Sequence, residues 1–166
     1  MTRFLLDSNV LIESNQRYYS QDFCPAFWDW LVHHNAQNAI YSIDKVYDEI
    51  SGAGDNLSDW ADSYRSALFM PTTAEMSSAL SHIAQWVVQS RYTDNAVSEF
   101  LAAADYYLCA YALVYGYTVV THEVSKPDHK SKVKIPDVCN AVGVEWTDIF
   151  HVLKKLRTRF ELGSPE

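Results

Sequence analysis

An α/β architecture on a mostly parallel sheet is what the chain's hydrophobic pattern predicts, and three observations carry it. Arg3 to Leu6 and Tyr117 to Thr121 are continuous apolar or β-branched runs, the pattern of strands covered on both faces. Segments of helical spacing fill the stretches between them. No repeat, linker or low-complexity segment divides the 166 residues, so residues 1–160 read as one domain followed by a short tail, 161–166.

The elements follow in order. The run ending at Leu6 meets Asp7 and Ser8, either of which is a good N-cap for a helix through Val10 to Ile12. Pro25 to Asn35 carries Phe27, Trp28 and Leu31 at helical spacing, with proline in the first turn. Ser42 reads as the cap of a helix from Ile43 to Ile50, stopped by Gly52. Asp55 to Ser66 reads as helix and Leu68 to Met70 as a short strand. A longer helix from Thr73 to Gln89 aligns Met76, Leu80, Ile83 and Val87. Ala102 to Tyr115 is a further helix that Gly116 terminates, and Tyr117 to Thr121 is the clearest strand. A charged loop, Val124 to Lys134, leads to a short helix opened by Pro136. Val144 to Trp146 reads as an edge strand, and Thr147 or Asp148 caps a closing helix through Phe160.

Composition excludes several classes. At 48% hydrophobic and 20% charged, the chain can bury a core. Cys24, Cys109 and Cys139 are too far apart for a zinc motif and too few for a disulfide framework, which points to a reducing, cytoplasmic setting. The longest uncharged run, Tyr106 to Thr121, is broken by Gly116 and reads as helix then strand, not as a membrane span. Charge is uneven: residues 1–120 hold five Lys/Arg against fourteen Asp/Glu, whereas residues 121–160 hold eight against five. An acidic body with a basic final third suits a carboxylate site beside a phosphate-holding strip, or an acidic protein with a solvated basic helix.

Four carboxylates stand where a soluble protein seldom places them without reason. Asp105 shares a helical stripe with Leu108, Cys109 and Ala112, so it faces the core unless it caps its helix. Glu49 lies at the edge of the face made by Ile43, Val46, Tyr47 and Ile50; alone, it would be an ordinary surface residue. Asp7 ends the first strand, as ligand or as cap, and Glu123 ends the last clear one, as ligand or as loop residue. Ligands of parallel sheets bind beyond the carboxyl ends of the strands, where Asp7 and Glu123 fall. Carboxylates without histidine or cysteine neighbours suit Mg²⁺ or Mn²⁺, as one ion or two.

The stretch Leu5-Leu6-Asp7-Ser8-Asn9-Val10-Leu11-Ile12 resembles the opening strand and helix of the PIN-domain family. Ser42-Ile43 through Glu49 is similar to that family's second acidic helix, and Ala103-Ala104-Asp105 through Ala112 to its third motif. Thr121-His122-Glu123 lies where the family places its fourth acidic group. The resemblance implies a three-layer α/β/α fold and a Mg²⁺- or Mn²⁺-dependent endoribonuclease held by Asp7, Glu49, Asp105 and Glu123. Ser8 and Asn9 would orient Asp7 or a water on the metal. It also implies the toxin of a bacterial toxin–antitoxin pair: a protein with an RNA substrate, a cognate antitoxin and, for many members, a homodimeric state. Two departures stand out. The fourth position is Glu where the family more usually has Asp, and the stretch Lys126 to Asp137 is unlike the common pattern. Asp137 would replace or supplement Glu123, or cap the helix after Pro136. Lys126, Lys132 and Lys134 would grip RNA phosphates, or be solvated.

Other chemistries fit less well. Asp7-Ser8-Asn9 lacks the second aspartate of aspartyl phosphatases, no Gly-x-Ser-x-Gly elbow occurs, and Gly52-x-Gly54 is followed by Leu57 where a third glycine is required. The serious rival is a catalytically inactive scaffold of the same fold, binding a protein through Trp28, Trp30, Trp60 and Trp86, with Trp28 better read as core. His122 is a candidate proton shuttle or an incidental strand-end residue. In the closing helix, Lys154, Lys155, Arg157 and Arg159 face RNA, an antitoxin or solvent.

Overall fold

The computed structural model describes residues 1–164; the last two residues of the tail lie outside the described residues. Five short strands form one parallel sheet: β1 (Phe4–Leu6), β2 (Ile40–Ile43), β3 (Phe69–Met70), β4 (Thr118–Val120) and β5 (Trp146–Thr147), in the order β3-β2-β1-β4-β5. Every pairing is parallel, with Leu6 opposite Val120 at the centre. Helices α1 (Ser8–Glu13), α2 (Pro25–Ala36), α3 (Asp44–Ile50), α4 (Asn56–Ser63), α5 (Arg65–Leu68), α6 (Ser77–Gln89), α7 (Asp94–Ala102), α8 (Ala104–Tyr115), α9 (Ile135–Val142) and α10 (Ile149–Lys155) flank it, completing a three-layer α/β/α fold. Phe4, Leu5, Leu6, Val119 and Val120 are fully buried, as strands covered on both faces require.

The chain winds from β1 through β2 to β3 on one side, then returns to β4 and β5 on the other. The order therefore reverses between β1 and β4, and the crevice beyond their carboxyl ends is where such sheets take ligands. Asp7 and Thr121 are the first residues past those two ends, and the Asp7 N–H donates to the Val120 carbonyl at 3.0 Å.

Several local expectations change. Ser42 is no helix cap: it lies in β2, buried, and its hydroxyl donates to the Leu6 carbonyl at 2.7 Å, binding β2 to β1. Helix α3 starts one residue later, after extended Ile43. The segment read as helix to Ser66 breaks into α4 and α5, and a 3₁₀ turn, Ala74–Met76, precedes α6. Helix α7 was not anticipated; the Thr93 hydroxyl caps it by accepting the Ala96 N–H at 3.1 Å. Helix α8 begins at Ala104, not Ala102, and ends at left-handed Gly116 (φ +73°), where a side chain would be strained. The closing helix stops at Lys155, leaving Arg157 and Arg159 beyond it.

Among the described residues no single helix is long and apolar enough to cross a membrane. Trp28 and Trp30 are buried, Trp28 edge-on against Trp60 and Trp86 edge-on against Tyr92. Trp28 and Trp30 are therefore withdrawn from any partner surface, because their indoles keep their apolar area from water, whereas Trp60 and Trp86 are half-buried.

Candidate metal centre

Asp7 is 1% exposed and stands at the N-cap of α1, yet its side chain caps nothing. Its Oδ2 instead accepts the Thr121 hydroxyl at 3.0 Å, across from β4. The same Thr121 oxygen accepts the Glu123 N–H at 3.1 Å, so one threonine holds the Asp7 carboxylate and the backbone of Glu123. Sequence reasoning named Thr121 only as the residue before the fourth motif; its signal was a β-branched hydroxyl two positions ahead of a strand-end acid.

Asp105 arrives by a different route from the one expected. The chain breaks at extended Ala103 (φ −92°, ψ 163°), and Asp105 enters in the first turn of α8, inside the stripe with Leu108, Cys109 and Ala112. Glu49, at the end of α3, bridges two elements. One oxygen accepts the Ser8 hydroxyl of α1 and the other accepts the Ala104 N–H at 3.0 Å, capping α8. Ser8 thus orients Glu49, not Asp7, and Asn9 is exposed on the outer side of α1.

Glu123 is 8% exposed at its side chain. Its Oε2 accepts the Ile135 N–H at 2.9 Å, capping α9, and its Oε1 lies 3.9 Å from the Lys132 ammonium. Asp137 does not join the group. At 6% exposure it accepts the Ser125 hydroxyl at 2.5 Å and the Lys126 N–H at 3.1 Å, clamping the loop from within. Lys134 is half-buried as the residue before α9, and Lys126 is exposed. Lys132 alone of these three lysines lines the pocket of about 230 Å³ that Glu49 and Asp105 border, together with Glu99 of α7. Glu99 escaped the sequence reading because its helix did.

The electrostatics tie the four acids together. Burial pushes the Asp7 carboxyl well above the ordinary carboxylate range, and the charges of Asp105, Glu123 and Glu49 add to it, against the Thr121 hydrogen bond. Asp105 is pushed up to about 7, first by burial, then by Glu123 and Glu49, with Lys132 opposing. Side chains drawn from the ends of β1 and β4, α3 and the start of α8 thus share one field.

Residues 4–160 match a family model described as a domain of unknown function (DUF4411). The chain belongs to this family. No curated protein and no solved structure matches it.

Among the described residues no three acidic, histidine or cysteine side chains form a ready-made ligand arrangement. Glu49 and Glu123 instead accept the N–H groups that open α8 and α9. The donor set itself is all oxygen and suits a hard divalent cation, not zinc. His122 takes no part. Its Nδ1 pairs with Glu13 at 2.5 Å, its ring stacks on Phe150, and its Nε2 is buried without a hydrogen-bond partner.

Proposed function

We propose that this protein is a Mg²⁺- or Mn²⁺-dependent endoribonuclease, hydrolysing RNA phosphodiesters at the crevice between β1 and β4. The observation that carries the reading is the pair Asp7 and Asp105: one fully buried carboxylate and one half-buried, neither with a capping hydrogen bond, both pushed above the ordinary carboxylate range, Asp7 in part by the charge of Asp105, at the sheet's switch point. Such a pair is costly without a cation. The resemblance of the Asp7 and Asp105 segments to the PIN-domain family supports the same chemistry.

Asp7, Glu49 and Asp105 would hold the cation, with Glu123 beside them. When bound, a divalent ion polarises the phosphate and makes a water more acidic. Thr121 fixes the Asp7 oxygen and Ser8 fixes Glu49, so neither carboxylate need reorganise when charge develops. In the net reaction a water oxygen bonds to phosphorus, one P–O bond to a ribose oxygen breaks, and that oxygen leaves with a proton. A role as the toxin of a toxin–antitoxin pair, restrained by a cognate antitoxin and acting in the cytoplasm as a monomer or homodimer, extends the resemblance. The three free cysteines fit that reducing setting.

The test is cleavage of a structured RNA by purified protein with Mn²⁺, beside Asp7→Asn, Asp105→Asn and an EDTA control. Cutting by wild type alone is expected. Inert wild-type protein that binds Mn²⁺ no better than a control protein would favour the rival scaffold, for which the helix-capping jobs of Glu49 and Glu123 are the supporting observation.

A further inference from the structure

We propose that the candidate centre works with one divalent ion and one fixed ammonium: Lys132 supplies the second positive charge that the scissile phosphate meets, and Glu123 holds Lys132 instead of a second metal. The inference rests on the metal-dependent nuclease reading above and adds to it how many ions are bound and which residue grips the phosphodiester.

Lys132 sits in a loop whose composition suggests a solvated connector, yet that loop is fastened on every side of it. The Lys130 carbonyl accepts the Thr93 N–H at 3.0 Å, and the Lys130 ammonium lies 4.7 Å over the Tyr92 ring. Val133 is 2% exposed. Upstream, Asp137 grips Ser125 and the Lys126 N–H; downstream, Glu123 takes the Ile135 N–H. With Lys130 bound to α7's start and Val133 packed in the core, the two residues between them are held at both ends, and the Lys132 side chain lines the Glu49–Asp105 pocket. Its side chain keeps 52% exposure, so the ammonium can meet an incoming oxyanion.

Glu123 is poorly placed to serve as a metal ligand. One oxygen is committed to a helix N-terminus, the other faces Lys132, and 8% of the side chain is exposed. A carboxylate gripped by a backbone N–H and an ammonium orients that ammonium, which makes Glu123 a positioning residue. The charge balance agrees in direction. Four acidic side chains meet at this crevice, and an ammonium at the pocket wall reduces the repulsion an incoming anionic phosphate would meet there. Lys126 and Lys134 do not line this pocket, so the role falls to Lys132 among the loop's candidates.

Mn²⁺ titration followed by electron paramagnetic resonance, with RNA cleavage in parallel, tests the proposal on the full chain and on Lys132→Met, Lys132→Arg, Glu123→Gln and their double variant. One Mn²⁺ per chain is expected in wild type and in all four variants, with binding in Lys132→Met at least as tight as in wild type. Lys132→Met should cleave about 100-fold more slowly, the scale of removing one charge-stabilising donor, and Lys132→Arg should recover most of that loss. Glu123→Gln combined with Lys132→Met should be no worse than the worse single variant, since the two act as a unit. Two Mn²⁺ per chain, one of them lost in Glu123→Gln, would overturn the proposal and leave the nuclease reading standing. Wild-type cleavage by Lys132→Met would do the same. Failure of wild type to bind Mn²⁺ or cut RNA would remove both.

Discussion

Replacing Asp105 by Asn should stabilise the protein above neutral pH when no divalent ion is present. Asp105 is held at about 7 by burial and by the charges of Glu123 and Glu49, whereas an unfolded aspartate titrates near 3.9. Between those values the folded protein binds more protons than the unfolded chain, so stability falls as the pH rises from about 4 through about 7. Carried through completely, that interval corresponds to about 4 kcal/mol. An asparagine keeps part of the burial penalty, so the recoverable gain at pH 8 is about 2 kcal/mol, or ~4–8 °C in melting temperature for a chain of this size. At pH 5 wild-type Asp105 is largely protonated and the difference should shrink toward zero. Thermal unfolding in EDTA at both pH values gives the comparison. Mn²⁺ at about 100 times its dissociation constant should add ~2.7 kcal/mol to wild type alone and invert the order. Loss of stability in Asp105→Asn at pH 8 in EDTA would refute the reasoning, because it would make the carboxylate a structural acceptor.

Thr121→Val should cost about 1–3 kcal/mol in urea unfolding, since it leaves buried Asp7 without its donor, while Thr121→Ser should retain most of the stability. Glu49→Ala should lose about 1 kcal/mol by uncapping α8 at Ala104; Glu49→Gln should keep that stability, yet both should weaken Mn²⁺ binding measured by calorimetry. Asp137→Ala releases Ser125 and the Lys126 N–H, so limited trypsinolysis after Lys130 should run about tenfold faster, the equivalent of ~1.4 kcal/mol of lost loop stability.

Elements whose pattern is local were legible in the sequence. The apolar run into Asp7, the strand before Thr121 and the stripe around Leu108 and Cys109 all emerge as expected, and with them the positions of Asp7, Glu123 and Asp105. Strand β2 was not legible, because serine before an apolar segment is the commonest helix-cap signal. Its strand character comes from pairing with β1 and from the Ser42 bond to Leu6, contacts 36 residues apart. The start of α8 differs for a similar reason: three alanines have high helix propensity, yet the chain breaks at extended Ala103, where the distant Glu49 accepts the Ala104 N–H that opens α8. The fastening of the loop around Lys132 relies on carboxylates bonding backbone N–H groups, which leaves no periodic trace.

The four acids are unequal as arguments for function. Glu49 and Glu123 each accept a helix-terminal N–H, and that task alone would explain a carboxylate or an amide at either position. Asp7 and Asp105 have no equivalent task. Asp7 occupies a cap position without capping, and at α8 the capping acceptor is already Glu49. Asp7 is buried and Asp105 half-buried, both are pushed up by desolvation and by neighbouring carboxylates, Asp105 among those acting on Asp7, and an asparagine at either place would remove part of that repulsion. A protein-binding scaffold derives no benefit from two ionisable groups that resist ionisation inside it. A site that gathers a divalent cation requires them there, because the repulsion that destabilises the pair without metal is what a cation relieves on binding.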